Sequence, residues 1–127
     1  MMSREEFFQF IEITGGLIHP NGDLPHPISI FGIECDDGWL ELIAQLIQEL
    51  VDAGWTREIK QIKEKFGGLC FYTGGVNENI MEIIIKYEAR SYTICEICGG
   101  DHNVSLRGTR WVKTLCDQCA GPWLERH

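Results

Sequence analysis

Two pairs of cysteines constrain this chain more than any other feature. Cys95-Glu96-Ile97-Cys98 is followed by Gly99, and Cys116-Asp117-Gln118-Cys119 completes the set, with seventeen residues between the inner cysteines. Two thiolates separated by two residues wrap a tight turn, so both can reach one ion. Gly99 permits the positive φ that such a turn favours. Zinc takes four soft or borderline ligands in a tetrahedron with sulfur at ~2.3 Å, and two such pairs supply all four. The pattern predicts one structural Zn²⁺ held by Cys95, Cys98, Cys116 and Cys119. Four cysteines leave no coordination position for water or substrate, which argues against catalytic zinc. The spacer reads as a hairpin, with strands over 103–106 and 109–115, Gly108 in the turn, and the second pair repeating the first, as in a zinc ribbon. Four unrelated core cysteines, or a redox-active pair, explain the matched spacing less well. His102 reads as an exposed loop residue rather than a ligand that replaces a cysteine or binds transiently.

Six cysteines in 127 residues also raise the question of disulfides. Met1-Met2-Ser3-Arg4-Glu5-Glu6 lacks a basic stretch followed by an apolar one, and no apolar run reaches the ~18 residues that span a bilayer. The expectation is a cytoplasmic protein, without membrane contact, whose thiols stay reduced. Its formal charge of −8 is unevenly spread: residues 1–56 hold one base against ten acids, while residues 86–127 hold six bases and five acids. An acidic N-terminal half repels phosphates and suits solubility or a basic protein partner.

The remaining pattern predicts an α+β fold. Ser3 and Glu6 form a capping box before a short helix with Phe7, Phe8, Phe10 and Ile11 on its apolar face, ended by Thr14-Gly15-Gly16. Residues 17–27, rich in Pro and Gly, read as a loop, and Ile28 to Cys35 as an extended segment. Asp36-Asp37-Gly38 opens the clearest helix, with carboxylates at its positive end and Trp39, Leu42, Ile43, Leu46, Ile47 and Leu50 on one face; Gly54 ends it. Residues 57–66 and the Leu69-Cys70-Phe71-Tyr72 run read as a β-hairpin turning at Gly67-Gly68. Asn77 caps a second main helix over 78–91. The expected architecture is two main helices, a small antiparallel sheet and a C-terminal zinc ribbon, with residues 1–92 as the α+β domain and 93–127 as a module packed on it. Trp39, Leu42, Leu46, Leu50, Phe66, Leu69, Phe71, Ile80 and Ile84 are the expected core.

Two stretches carry a resemblance. Ile62-Lys63-Glu64-Lys65-Phe66-Gly67-Gly68-Leu69 follows a helix that opens with Asp37-Gly38-Trp39. It precedes a ribbon with Ser91, Cys95-x-x-Cys98-Gly99, Trp111, Thr114-Leu115-Cys116 and Cys119. Over about residues 33–120 this resembles a family of small uncharacterised zinc-ribbon proteins of bacteria and phages. The position after Leu69 is often basic in such proteins and is Cys70 here. The resemblance implies a shared fold and zinc site and supplies no activity; for a phage-borne gene it suggests a modulator of a host system.

Arg57, Lys60, Lys63 and Lys65 alternate with Glu58 and Glu64, as on the solvated face of a strand. Arg107, Arg110, Trp111 and Lys113 lie on the ribbon hairpin, where bases and an aromatic can meet nucleic acid or a partner. Cys35 and Cys70 lack an adjacent base and read as buried thiols. Gly67-Gly68 and Gly74-Gly75 lack the residues of a phosphate loop. The expected function is a non-enzymatic zinc-binding protein-interaction module. The alternative is a nucleic-acid-binding regulator, which requires Arg107, Arg110 and Lys113 to form one exposed face.

Overall fold

The capping box at Ser3 forms as the sequence predicts. In the computed structural model, Glu6 N–H donates to Ser3 Oγ and Ser3 N–H to Glu6 Oε1, both at 3.1 Å, and helix α1 spans Arg4–Thr14. The structure describes residues 1–14, 17–18, 26–27 and 33–127. The predicted helix stop at Gly15-Gly16 and most of the segment from Ile28 therefore lie outside the described residues. Within the predicted loop, β1 (Leu17–Ile18) and β2 (His26–Pro27) form a short antiparallel pair. Strand β3 follows at Ile33–Glu34.

Asp37–Trp39 makes one 3₁₀ turn that leads into α2, Leu40–Asp52. All its predicted apolar positions are buried. Gly54, at φ +85°, ends the helix. Trp55 N–H returns to Leu50 C=O at 3.0 Å and Gly54 N–H to Val51 C=O at 3.1 Å, the two bonds of a Schellman motif. Asp36 has no side-chain capping bond. Its carboxylate and that of Asp37 are used in ion pairs instead, at 2.8 Å to Lys113 and 2.9 Å to Arg4.

Strands β4 (Glu58–Lys65) and β5 (Gly68–Thr73) form the predicted hairpin. The turn residues are Phe66-Gly67, at φ +53° and +84°, one residue earlier than expected. Two consecutive positive-φ residues match the right-handed strand twist as a type I′ turn does. Phe66 is consequently 76% exposed at the tip, which corrects its assignment to the core. The other eight predicted core residues are buried.

The sheet is mixed rather than antiparallel. β5 pairs along one edge of β4, while β1 and β3 lie successively along the other, both parallel to it. The chain runs β3–α2–β4, and a helical crossover returns the next strand in the same direction. Helix α3, Glu78–Ser91, opens with Asn77 Oδ1 accepting Ile80 N–H at 2.9 Å. It also closes the outer edge of β5: Leu69 N–H donates to Ser91 Oγ at 3.0 Å and Phe71 N–H to Glu88 Oε2 at 2.9 Å. These side chains occupy donors that would otherwise invite another strand. Burial raises the Glu88 carboxyl above its usual range, and the Phe71 N–H opposes that shift.

The C-terminal part contains β6 (Ser105–Arg107), β7 (Lys113–Leu115) and α4 (Asp117–Arg126). Helix α4, which contains Pro122, lies where the sequence analysis places no helix. One buried cluster runs from Phe7 to Tyr87; a second comprises Cys95, Leu115, Cys116, Ala120 and Trp123. The class is α+β. No helix among the described residues is long and apolar enough to cross a membrane.

Candidate metal centre

The first cysteine pair sits on a tight knuckle just after α3. Gly99 N–H donates to Cys95 C=O at 2.9 Å, and Cys95 N–H to Gly100 C=O at 2.8 Å. Gly99 takes the expected positive φ, +78°. Gly100 N–H points at Cys98 Sγ, 3.4 Å away. The second pair does not repeat this arrangement. Cys116 is the N-cap of α4, its C=O accepts Ala120 N–H at 2.9 Å, and Cys119 lies in the first helical turn. The order is thus knuckle, hairpin, helix, which corrects the expectation of two matching turns. The helix start has a chemical use: its free N–H groups and dipole favour negative charge on sulfur.

One candidate ligand atom from each of Cys95, Cys98, Cys116 and Cys119 lies within 4.8 Å of the others. Cys98 and Cys116 Sγ are 3.7 Å apart. A tetrahedron with metal–sulfur bonds of ~2.3 Å has sulfurs ~3.8 Å apart, so the donor set fits one tetrahedral metal ion. The thiols are not equivalent. The backbone N–H of Cys119 is the main influence lowering Cys116, to about 7. Burial raises Cys119, with Cys116 adding to the shift. Four sulfurs this close resist simultaneous ionisation unless a cation joins them, and a divalent metal supplies that charge. His102 is exposed and stands outside the cluster.

The knuckle is fastened to the start of α2. Gly38 N–H donates to Glu96 C=O at 2.7 Å, Asp36 N–H to Glu96 Oε2 at 2.9 Å, and Trp39 Nε1 to Ile94 C=O at 2.9 Å. A Cβ on Gly38 would lie 2.3 Å from Cys95 O and 2.5 Å from Glu96 O, so only glycine fits. Lys113 Nζ bridges Glu96 Oε2 at 3.1 Å and Asp36 Oδ2 at 2.8 Å. The Glu96 side chain is 1% exposed, and its Oε1 has no hydrogen-bond partner among the described residues. Burial raises the Glu96 carboxyl, while Asp36 N–H and Lys113 pull it back.

A second fastening joins the hairpins. Thr114 Oγ1 donates to Gly67 C=O at 2.6 Å. A Cβ on Gly67 would meet Leu106 Cδ2 at 2.3 Å, and one on Gly68 would meet Tyr92 Oη at 2.2 Å. Gly38, Trp39, Gly67 and Thr114, four of the residues quoted for the resemblance, thus join the cysteine module to the rest of the fold, while Ser91 and Gly68 fasten α3 and its end to β5.

The four predicted contact residues do not form one face. Lys113 is buried in its ion pairs, which removes it from any exposed basic surface. Arg107 is half-buried and paired with Asp117 at 2.6 Å. Arg110 and Trp111 are exposed, and Trp111 meets Trp123 and His127 edge-on at 6.2 and 5.0 Å. Strand alternation does signal the correction, because Lys113 shares a face with Leu115. Glu96 was missed, since nothing local marks a carboxylate between two ligands as buried. Cys35 is a core thiol pushed up to about 12, chiefly by burial, and Cys70 is half-buried. No family model, curated protein or solved structure matches the chain.

Proposed function

We propose that this chain is a non-enzymatic protein-interaction module built around one structural Zn²⁺, consistent with the resemblance to small zinc-ribbon proteins of bacteria and phages. The observation that supports the metal assignment is the clustering of four cysteine donors within 4.8 Å. A tetrahedral all-sulfur set suits zinc or iron, and zinc binds in such sites without redox chemistry. With four thiolates bound, the metal has no position for substrate and acts as a staple between the knuckle and α4. The interaction reading is supported by an acidic N-terminal half, which favours a protein over a phosphate backbone. The nucleic-acid alternative loses Lys113 and Arg107 to ion pairs and is left with Arg110 and Trp111.

Two measurements test this. Native mass spectrometry should find one zinc per chain; visible absorption from bound iron would refute the zinc assignment. Affinity capture from a native host lysate, with and without nuclease, should recover a stoichiometric protein that survives nuclease. Nucleic acid recovered without such a protein would overturn the interaction reading.

A further inference from the structure

The hairpin tip at Phe66 breaks two rules of sequence economy at once. A type I′ turn favours Asn or Gly at its first central position, because that residue must take φ > 0. Phe66 takes it, at +53°, although a bulky side chain in the left-handed region is strained. Strain of this kind persists in a fold when packing or function holds it. Packing does not, since Phe66 is 76% exposed. The turn is held without the ring: Gly67 N–H donates to Glu64 Oε2 at 2.6 Å and Lys65 pairs with Gly68 across the ladder.

Phe66 is not alone. Leu106 and Tyr92, 53% and 46% exposed, lie against Gly67 and Gly68, the two residues that follow it. Three large, partly exposed side chains thus lie on or beside the turn. With aromatic side chains of ~150–250 Å² each, the exposed apolar area is roughly 300–400 Å², within the range of patches that mark contact sites. Lys65 Nζ stands 5.8 Å from the Phe66 ring centroid, while Lys63 Nζ stands over the Tyr72 ring and Glu64 Oε2 is taken up by Gly67 N–H. Lys65 thus sets one cation beside the ring in a protein whose net charge is −8.

We infer that the Phe66 tip, flanked by Leu106 and Tyr92, inserts into an apolar pocket on a partner protein, with a partner carboxylate beside it to meet Lys65. This rests on the interaction-module reading and names its surface. The shape selects the occupant: a two-residue turn is convex, so it fits a concave pocket and does not complement a second copy of itself. The area agrees, because a stable interface buries ~800 Å² per partner, and this patch supplies less than half. It serves as the anchor, with the surrounding polar surface as rim. Lys65, beside the ring, matches a carboxylate on the partner.

The test uses the metal-loaded full chain. Phe66→Asn removes the ring and gives the turn its preferred residue, so the melting temperature should hold or rise. In the same lysate capture, the stoichiometric partner should fall at least tenfold with Phe66→Asn and remain with Ile13→Ser, an exposed apolar change on α1. A photoreactive benzoylphenylalanine at position 66 should crosslink the partner at an apolar site flanked by Asp or Glu. A partner captured equally by Phe66→Asn would refute this surface while leaving the interaction-module reading intact. Capture of no partner by the wild-type chain would overturn both. A clear drop in melting temperature with Phe66→Asn would show the ring to be structural. Crosslinking at position 66 to a second copy of this chain, or to nucleic acid, would overturn the assigned occupant.

Discussion

Replacing Lys113 by Met tests how the cysteine module is tied to the rest of the molecule. In the native protein the ammonium sits 3.1 Å from a carboxylate oxygen of Glu96 and 2.8 Å from one of Asp36. Glu96 is 1% exposed by side chain, so water cannot replace the lost partner. At ~3 Å and an effective dielectric constant of ~20, one such attraction is worth roughly 5 kcal/mol before desolvation. Removing one member of a buried pair typically costs about 3–5 kcal/mol, because the other charge is left uncompensated. For a chain of this size the melting temperature should fall by roughly 10–20 °C. Thermal unfolding of the zinc-loaded protein, followed by circular dichroism, measures it. The charge argument predicts a specific rescue. Adding Glu96→Gln to Lys113→Met removes the stranded charge and keeps an oxygen for Asp36 N–H, so the double variant should regain at least half of the loss. A loss below about 1 kcal/mol for Lys113→Met, or no rescue in the double variant, would refute the reasoning.

Other outcomes follow from the same geometry. Stripping the metal with a chelator should send the amide shifts of residues 94–120 to random-coil positions, while those of β4 and β5 stay dispersed; a hairpin that keeps its native shifts would contradict the staple role. Gly38→Ala places a Cβ 2.3 Å from Cys95 O, against backbone that cannot swing aside, so it should destabilise by about 2 kcal/mol or more and weaken zinc retention in a chelator competition. Gly68→Ala should cost much less, because its clash is with the movable end of the Tyr92 side chain, and paired melting curves compare the two. Cys35, at about 12, remains protonated at pH 8 and should resist alkylation in the folded protein; rapid labelling detected by peptide mass spectrometry would contradict its burial.

Local rules carried much of the structure. The capping box at Ser3, the Asn77 cap, the Schellman end at Gly54 and the apolar stripe of α2 each depend on residues within a few positions, so the sequence displays them directly. The cysteine pairs belong to the same class, since ligand type and spacing identify a metal site before any fold is known. Where the reading failed, the deciding partner was distant. Phe66 looks apolar and therefore buried, but a one-residue choice of turn position puts it at the tip. The sheet became mixed because α2 serves as a crossover between β3 and β4, a fact of topology that hydrophobic periodicity does not encode. Lys113 looked like a surface base until Asp36, 77 residues away, and Glu96 enclosed it. The sequence by itself determined α1, α2 and α3, the two hairpins and the clustering of the four cysteines, because these rest on short-range hydrogen bonding and ligand spacing. Tertiary structure alone decided which charges are buried together, which aromatic ring is left outside, and that Gly38 and Gly67 sit on the seam with the cysteine module, because each depends on chain segments brought into contact only by folding.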